Sequence, residues 1–301
     1  MADKTEFSSG SALVIISGAS RGIGRAIALA IADAAASSKS KLLSPRRLHM
    51  VLIARSATSL HETAGMVQQR CGDSSLIIKT TCHEMDLADV DSLPQHVNKI
   101  ILKPLSAANE KYNSCLLINN AGSLGPLGKA TFVCDEESPA ASLKRWKEAI
   151  DFNVTSSMWI SAQFAKATSQ VPLVRIVNMS SACAIEPFPT VSLYCAAKAA
   201  RDMFHAVLAK EHQPQIAEDE TKKSTNPIPF KVLNYAPGPT DTVMTDTLAD
   251  CNTLDDGLQK FFTTSRNEKT LIRPDDTAAK LVGLLEKDEF ESGSHVDYYD
   301  L

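Results

Sequence analysis

The sequence predicts a doubly wound α/β domain, a seven-stranded parallel sheet with helices on both faces. Three observations carry that expectation. Short apolar runs alternate with longer segments of helical composition along most of the 301 residues, the pattern of strand, crossover helix and parallel strand. The first run, residues 11–17 (SALVIIS), passes through the turn Gly18-Ala19-Ser20-Arg21-Gly22-Ile23-Gly24 into an Ala/Ile/Leu helix that reaches about Ala36. Later runs end in small, amide or hydroxyl residues, and open α/β sheets do their chemistry at the C-terminal ends of strands.

Composition narrows the class of function. With 44% hydrophobic and 22% charged residues the chain can bury a sizeable core. A formal net charge of -4 offers no basic footprint for nucleic acid. No segment approaches the roughly 20 apolar residues that cross a bilayer. Residues 1–10 lack a basic-then-apolar leader, so the expected compartment is the cytoplasm. The seven cysteines (Cys71, Cys82, Cys115, Cys134, Cys183, Cys195 and Cys251) are odd in number and scattered without a C-x-x-C pair. They read as reduced thiols, and no metal site is expected.

Taken in order, the strand, glycine turn and helix of residues 11–36 form a dinucleotide-binding context. Glycines allow a tight turn and close approach of a pyrophosphate, and the helix N-terminus presents unpaired N–H groups to its charge. Residues 34–47 are polar and longer than a usual connection, hence a surface insertion. The second strand, 49–54, ends at Arg55-Ser56, where a binder of NAD would place an acid for the ribose 2′-OH. Arg55 and Arg21 instead favour a 2′-phosphate through charge-assisted bonds, so the expected cofactor is NADP.

A helix over 57–70 and a strand over 76–84 lead to Asp86-Leu87, where Asp86 is one candidate cap for the next helix. Residues 89–108 carry a helical pattern broken by Pro94 and Pro104. The fourth strand, 114–118, delivers Asn119-Asn120-Ala121-Gly122, residues that let the chain pass close to a cofactor. An irregular stretch, 124–139, precedes a long helix over 143–168 whose interior holds Asn153.

The fifth strand, 174–179, places Ser180-Ser181 at its end, and a helix over 192–210 puts Tyr194 and Lys198 at i and i+4 on one face. A tyrosine near its ordinary pKa of about 10 is a poor proton shuttle at neutral pH, and a lysine charge beside it lowers that value. The serine hydroxyl could hold a carbonyl oxygen against the phenol. Residues 211–229, polar with three prolines, read as another insertion. The sixth strand, 230–235, delivers Ala236-Pro237-Gly238-Pro239-Thr240-Asp241-Thr242. Residues 245–270 read as an irregular substrate lid, 274–287 as a helix and 294–299 as a closing strand. Without repeats or a splitting linker, residues 1–301 read as one Rossmann-like domain with insertions near 34–47, 126–145 and 211–229.

The Gly-x-x-x-Gly-x-Gly turn, the Asn-Asn-Ala-Gly quartet and the serine followed by Tyr-x-x-x-Lys together resemble the short-chain dehydrogenase/reductase family. Ser17 stands where members usually have Thr, a departure that keeps the hydroxyl. The resemblance implies Ser181, Tyr194, Lys198 and Asn153 as the catalytic set, with Asn153 supporting a water and the lysine in a proton relay. It implies a cofactor site of Gly18, Ala19, Ser20, Arg21, Gly22, Ile23 and Gly24, joined by Arg55, Ser56, Asp86 and Leu87, with Asp86-Leu87 bordering the adenine. Asn120, Ala121, Gly122, Tyr194 and Lys198 complete its middle, and Thr240, Asp241, Thr242, Val243, Met244 and Thr245 the segment that grips the nicotinamide amide.

Residues 116–125, 194–203, 232–239, 284–290 and 295–300 resemble those members of the family that reduce pterin side-chain ketones. That implies NADPH-dependent reduction of sepiapterin or 6-pyruvoyl-tetrahydropterin in tetrahydrobiopterin biosynthesis, with Ser181, Tyr194, Gly238 and Asp297 meeting the substrate. A carboxylate at Asp297 can accept two hydrogen bonds from an amino-pyrimidine edge. A homodimer through the long helices 143–168 and 192–210 is implied as well. The alternatives are a broad-specificity NADPH carbonyl reductase and a non-catalytic NADP-sensing protein; the intact four-residue set argues against the sensor.

Overall fold

Each apolar run forms a parallel strand because both of its faces are covered, so neither alternation nor polar relief is needed along it. The computed structural model describes residues 10–37, 45–70, 75–106, 111–131, 138–213 and 229–301. In chain order the elements are β1 (Ser11–Ser17), α1 (Gly22–Ala36), β2 (Arg47–Ala54), α2 (Ala57–Gln69), β3 (Ile77–Glu84), α3 (Leu93–Val97), α4 (Lys103–Ser106) and β4 (Tyr112–Asn119). There follow α5 (Pro139–Ile150), α6 (Ser156–Ala167), β5 (Leu173–Met179), α7 (Ser192–Glu211), β6 (Phe230–Ala236), α8 (Val243–Asp250), α9 (Asp256–Asn267), α10 (Pro274–Lys287) and β7 (His295–Asp297). The sheet order is β3-β2-β1-β4-β5-β6-β7, every pair parallel.

The chain starts in the middle, winds outward to β3, then returns to β4 on the other side of β1. That reversal leaves a crevice at the C-terminal ends of β1 and β4. Along β1 the side chains alternate between two cores. Val14 and Ile16 pack with Ile27 of α1, Leu60 of α2 and Leu281 of α10, whereas Leu13 and Ile15 pack with Phe164 of α6 and Leu208 of α7. The doubly wound seven-stranded expectation therefore holds, with strand ends moved by one or two residues.

Three expectations are corrected. Residues 245–270 are not irregular: they contain α8 and α9, separated by a short turn and capped by Asp255, whose Oδ1 accepts from the Leu258 N–H at 3.1 Å. Each helix is short, and together with Leu124 and Val191 they form a third small core through Leu248 and Leu254, so no long apolar period is visible in the sequence. The closing strand is only three residues, because the Asp297 carboxylate accepts from the Tyr299 N–H at 2.9 Å and turns the chain into a 3₁₀ turn, Tyr298–Asp300. The long helix begins at Pro139, whose ring suits a first turn, and is interrupted by one π turn, Asp151–Thr155, between α5 and α6.

The central parts of the three expected insertions, residues 38–44, 132–137 and 214–228, lie outside the described residues, as do Cys71 and Cys134. Cys82, Cys115, Cys183, Cys195 and Cys251 are free thiols.

At the edge of the sheet far from the crevice, a buried charge ties α10 to β5 and β6. Arg175, 2% exposed, donates from Nε and Nη2 to the two oxygens of Asp288 at 2.8 and 2.6 Å, and Lys231 donates to the Asp288 carbonyl at 2.5 Å. Asp288 also ends α10 in the left-handed region, φ 54°. Asn tolerates that backbone and lacks the charge, so Asp288→Asn isolates the electrostatic part. It is expected to lower unfolding free energy by about 3 kcal/mol, since it strips a buried guanidinium of its carboxylate. Urea titration of both proteins measures the difference.

Candidate active site

A cleft of about 1480 Å³ runs along the C-terminal ends of the strands. One end is the glycine turn. Gly18 has φ +68°, and a Cβ on Gly24 would stand 2.2 Å from the Gly18 carbonyl oxygen, so the start of α1 packs on the turn only without side chains. Asn120 Nδ2 donates to the carbonyls of Ser17 and Gly18 at 3.1 and 3.2 Å, and Ser17 Oγ accepts from the Ala121 N–H at 3.1 Å. The ends of β1 and β4 are thus stitched together, and the hydroxyl of Ser17 is in use.

Gly18, Ser20, Gly22 and Ile23 line the cleft, while Ala19 is fully buried behind the turn. Arg21 and Arg55 stand exposed on its edge and form no ion pair among the described residues. Ser56 lines it too and caps α2 by accepting from the Ser59 N–H at 3.3 Å. Leu87 lines the cleft but Asp86 does not; its Oδ1 accepts from the Ala88 N–H at 3.0 Å, and α3 begins only at Leu93, so Asp86 closes a local turn and caps no helix.

Helix α7 brings Tyr194 and Lys198 to the cleft beside Ser181. Lys198 Nζ lies 5.4 Å from the centre of the Tyr194 ring and donates to the Met179 carbonyl at 2.5 Å. Burial pulls its pKa well below the ordinary lysine value, and the charge of Arg201 adds to that. For Tyr194, burial pushes the phenol up, with Cys183 adding; Arg201 and the Ser181 hydroxyl pull it down. Against the expected lowering of the phenol by a lysine charge stands its burial, which is the largest influence on Tyr194 and acts upward. Ser181 Oγ accepts from the Cys183 N–H at 3.2 Å, which starts the 3₁₀ turn Ala182–Ala184.

Asn153 sits in the π turn and is 3% exposed, so it is not a solvated mid-helix amide. Its Oδ1 accepts from the Ser123 N–H at 2.8 Å and its Nδ2 donates to the Ala149 carbonyl at 2.9 Å. A Cβ placed on Gly122 would stand 3.5 Å from Asn153 Oδ1 and 3.9 Å from Lys198 Nζ. The amide, the ammonium and the Asn-Asn-Ala-Gly loop therefore converge.

A model of the short chain dehydrogenases matches residues 12–252. The chain belongs to the short-chain dehydrogenase family. It is similar to the sepiapterin reductase of Meriones unguiculatus, 34% identical over 97% of each chain, and to that of Rattus norvegicus, 33% identical over 97% of this chain and 98% of the relative. Among solved structures the KRED1-Pglu enzyme superposes with TM-score 0.70 at 22% identity, covering 94% of this chain and 99% of that one, which shows the shared fold.

In this short-chain dehydrogenase the loop after β6 is held from within. Thr240 Oγ1 donates to the Pro237 and Gly238 carbonyls at 3.2 and 3.1 Å, and Thr245 Oγ1 accepts from the Thr242 N–H at 3.0 Å. Asp241, Thr242, Val243 and Met244 line the cleft alongside them, with Met244 Sδ 3.9 Å from the Tyr194 hydroxyl. Asp297 and Gly238 line the same cleft as Tyr194 and Ser181. One Asp297 oxygen already caps the 3₁₀ turn.

Two features escaped the sequence reading. Phe188, Phe261 and Phe262 line the cleft as an aromatic wall; the last two were missed because α9 was read as irregular, and Phe188 lies in the loop before α7. Arg201, fully buried, donates from Nη1 to the Ala121 carbonyl at 3.0 Å, from Nη2 to the Asn119 carbonyl at 2.6 Å and from Nε to Asn178 Oδ1 at 2.7 Å. Its signal was there: it lies three residues after Lys198 and seven after Tyr194, a charge on the buried stripe of its helix.

Proposed function

We propose that this short-chain dehydrogenase uses NADPH to reduce a side-chain ketone of a pterin, such as sepiapterin or 6-pyruvoyl-tetrahydropterin, a step of tetrahydrobiopterin biosynthesis. The observation that carries the reading is the placement of the Asp297 carboxylate on the wall of the cleft that also holds Tyr194 and Ser181. Similarity to sepiapterin reductases over nearly the whole chain supports it.

The residues present fit a dinucleotide. The side-chain-free approach at Gly18 and Gly24 and the N-terminus of α1 suit a pyrophosphate. Arg21 and Arg55, neither of which has a carboxylate partner among the described residues, would hold a 2′-phosphate and make NADP(H) the preferred form. Asn120, Ala121, Gly122 and the loop Thr240–Thr245 would flank the nicotinamide end. When bound, the cofactor supplies the hydride for the carbonyl carbon.

The chain's own groups handle the proton and the orientation. Ser181 Oγ accepts from a backbone N–H, which leaves its own O–H to donate to the substrate carbonyl oxygen. Tyr194 donates the proton to that oxygen. Lys198 and Asn153, both beside Gly122, would relay a replacement proton toward the phenol. The carboxylate of Asp297 accepts from the amino-pyrimidine edge, and the aromatic wall covers the ring.

Leu143 and Trp159 on α5 and α6, and Met203 and Val207 on α7, leave apolar surface exposed on the two long helices, which supports a homodimer through them. Its setting in this reading is the cytoplasm; among the described residues no helix is long and apolar enough to cross a membrane. We read residues 1–301 as one reductase domain.

A broad-specificity carbonyl reductase is the second reading, favoured by the aromatic wall, which would accept any flat apolar ketone. Three variants test the assignment. Arg55→Asp should weaken NADPH binding about tenfold or more, the loss of a charge-assisted bond, with less effect on NADH; cofactor titration by fluorescence reads this. Tyr194→Phe keeps the ring and should retain NADPH binding while turnover falls by about 10² to 10⁴. Asp297→Asn keeps the cap of the 3₁₀ turn, because Asn caps about as well as Asp, yet turns a donor toward the pterin edge. Its kcat/KM for sepiapterin should fall roughly ten- to a hundredfold while reduction of a small diketone barely changes. Equal losses on both substrates would mark damage to the closing strand, and no loss on either would favour the broad-specificity reductase.

A further inference from the structure

Asp297 stands on an edge strand of three residues, paired to β6 only through Asn234–Ala236. So short a strand does not hold a side chain still, and the structure has a tether two residues earlier. His295 Nδ1 lies 2.6 Å from Asp202 Oδ2, with the imidazole 18% and the carboxylate 13% exposed. Asp202 belongs to α7, four residues after Lys198. Its other oxygen accepts from Asn178 Nδ2 at 2.8 Å, and Asn178 Oδ1 in turn accepts from Arg201 Nε. Asn234 Nδ2 reaches both the Asp202 carbonyl at 3.3 Å and the Gly293 carbonyl at 3.4 Å. The carboxylate that His295 meets is thus anchored to the floor of the site.

We propose that His295 is a positioning residue for the substrate: its bond to Asp202 fixes β7, and with it Asp297, against the helix that carries Tyr194 and Lys198. The proposal rests on Asp297 as the pterin ligand. The ring grip and the proton donor then keep one spacing, and a substrate held at both ends depends on it. A small diketone, held at one end only, does not.

The tether is sensitive to protonation. The charges around His295 are Asp202 from α7 and Asp297 and Asp300 from its own tail. The neighbouring strand contributes the neutral Asn234, and Lys280 of α10 is bonded to the carbonyls of Tyr298 and Leu301. The Asp202 hydrogen bond raises the imidazole above the ordinary 6.5, outweighing burial. A raised value means that the charged pair is fully present below pH 6.5 and is lost as pH rises through the raised value. Above it the neutral imidazole still donates to the Asp202 carboxylate but the attraction between opposite charges is gone, so the strand loosens without detaching.

The experiment measures sepiapterin and a small diketone as substrates of the full chain with saturating NADPH from pH 6 to 9, for the wild type, His295→Gln and Asp202→Asn. The wild-type KM for sepiapterin should rise roughly fivefold across the window above pH 6.5, with kcat changing less and the diketone KM flat. His295→Gln should start with the raised KM and lose the pH dependence, and Asp202→Asn should flatten it as well. A sepiapterin KM in His295→Gln that matches wild type at every pH overturns the proposal. So does an equal loss on both substrates, which marks a merely structural histidine. Should the variants not fold, the wild-type imidazole titration followed by NMR decides: its midpoint must coincide with that of the KM, and a mismatch overturns the proposal. Failure of the pterin assignment looks different: sepiapterin is not turned over, or Asp297→Asn spares it, while the His295 titration still lies above 6.5. In that case the proposal falls with the assignment.

Discussion

The guanidinium of Arg201 is the point from which the site is built. One planar group on α7 bonds two carbonyls at the end of β4 and the amide of Asn178 on β5, so three elements share a single fixed geometry. Burying the charge is costly: desolvation lowers the pKa of Arg201 to about 10, which still leaves it protonated at neutral pH. Its hydrogen bonds offset that cost only while all three partners stay in place. The Asn-Asn-Ala-Gly loop is therefore held from beneath as well as from the glycine turn above.

The same floor extends away from the cleft. Asn119 Nδ2 donates to Ser161 Oγ at 2.6 Å, Ser161 meets His205 Nε2 at 2.8 Å, and His205 Nδ1 lies 2.8 Å from the Arg201 carbonyl. Burial lowers His205 to about 4, so it stays neutral and adds hydrogen bonds without a second charge. A satisfied polar layer of this kind is rigid, because displacing any member leaves another buried and unpaired. Rigidity on this side contrasts with the far wall, where α8 and α9 rest on a small separate core, while Val296 of the tail packs against the large core of β1, α1 and α10. The cleft thus lies between the polar layer under α7 and the small core under α8 and α9, and Tyr194 touches both. The Asp202 to His295 bond links α7 to the tail.

Much of this was legible in the chain itself. Both faces of the sheet are covered, so strands appear as unbroken apolar runs, and the glycine turn, the amide quartet and the Tyr-x-x-x-Lys spacing mark the strand ends they follow. The rest had no local signal. Helices α8 and α9 are short and face a small core, so their period was too brief to see. The π turn at Asp151–Thr155 changes which way Asn153 points, and local sequence does not announce a change of helical register. Spacing alone left Asp86 open between a helix cap and a border of the adenine; the helix begins later and the Asp86 carboxylate closes on Ala88.

By itself, then, the sequence determined the sheet, its winding and the residues at the strand ends, because hydrophobic period and backbone sterics act over a few neighbours. Tertiary structure alone decided the electrostatics. Lys198, read from spacing as the charge beside Tyr194, is desolvated and bonded to the Met179 carbonyl, and the buried guanidinium of Arg201 lies on the same helix face. Whether a side chain keeps its charge depends on the solvent it loses and on partners from other strands. His295 and Asp202 are 93 residues apart, and no local pattern could pair them.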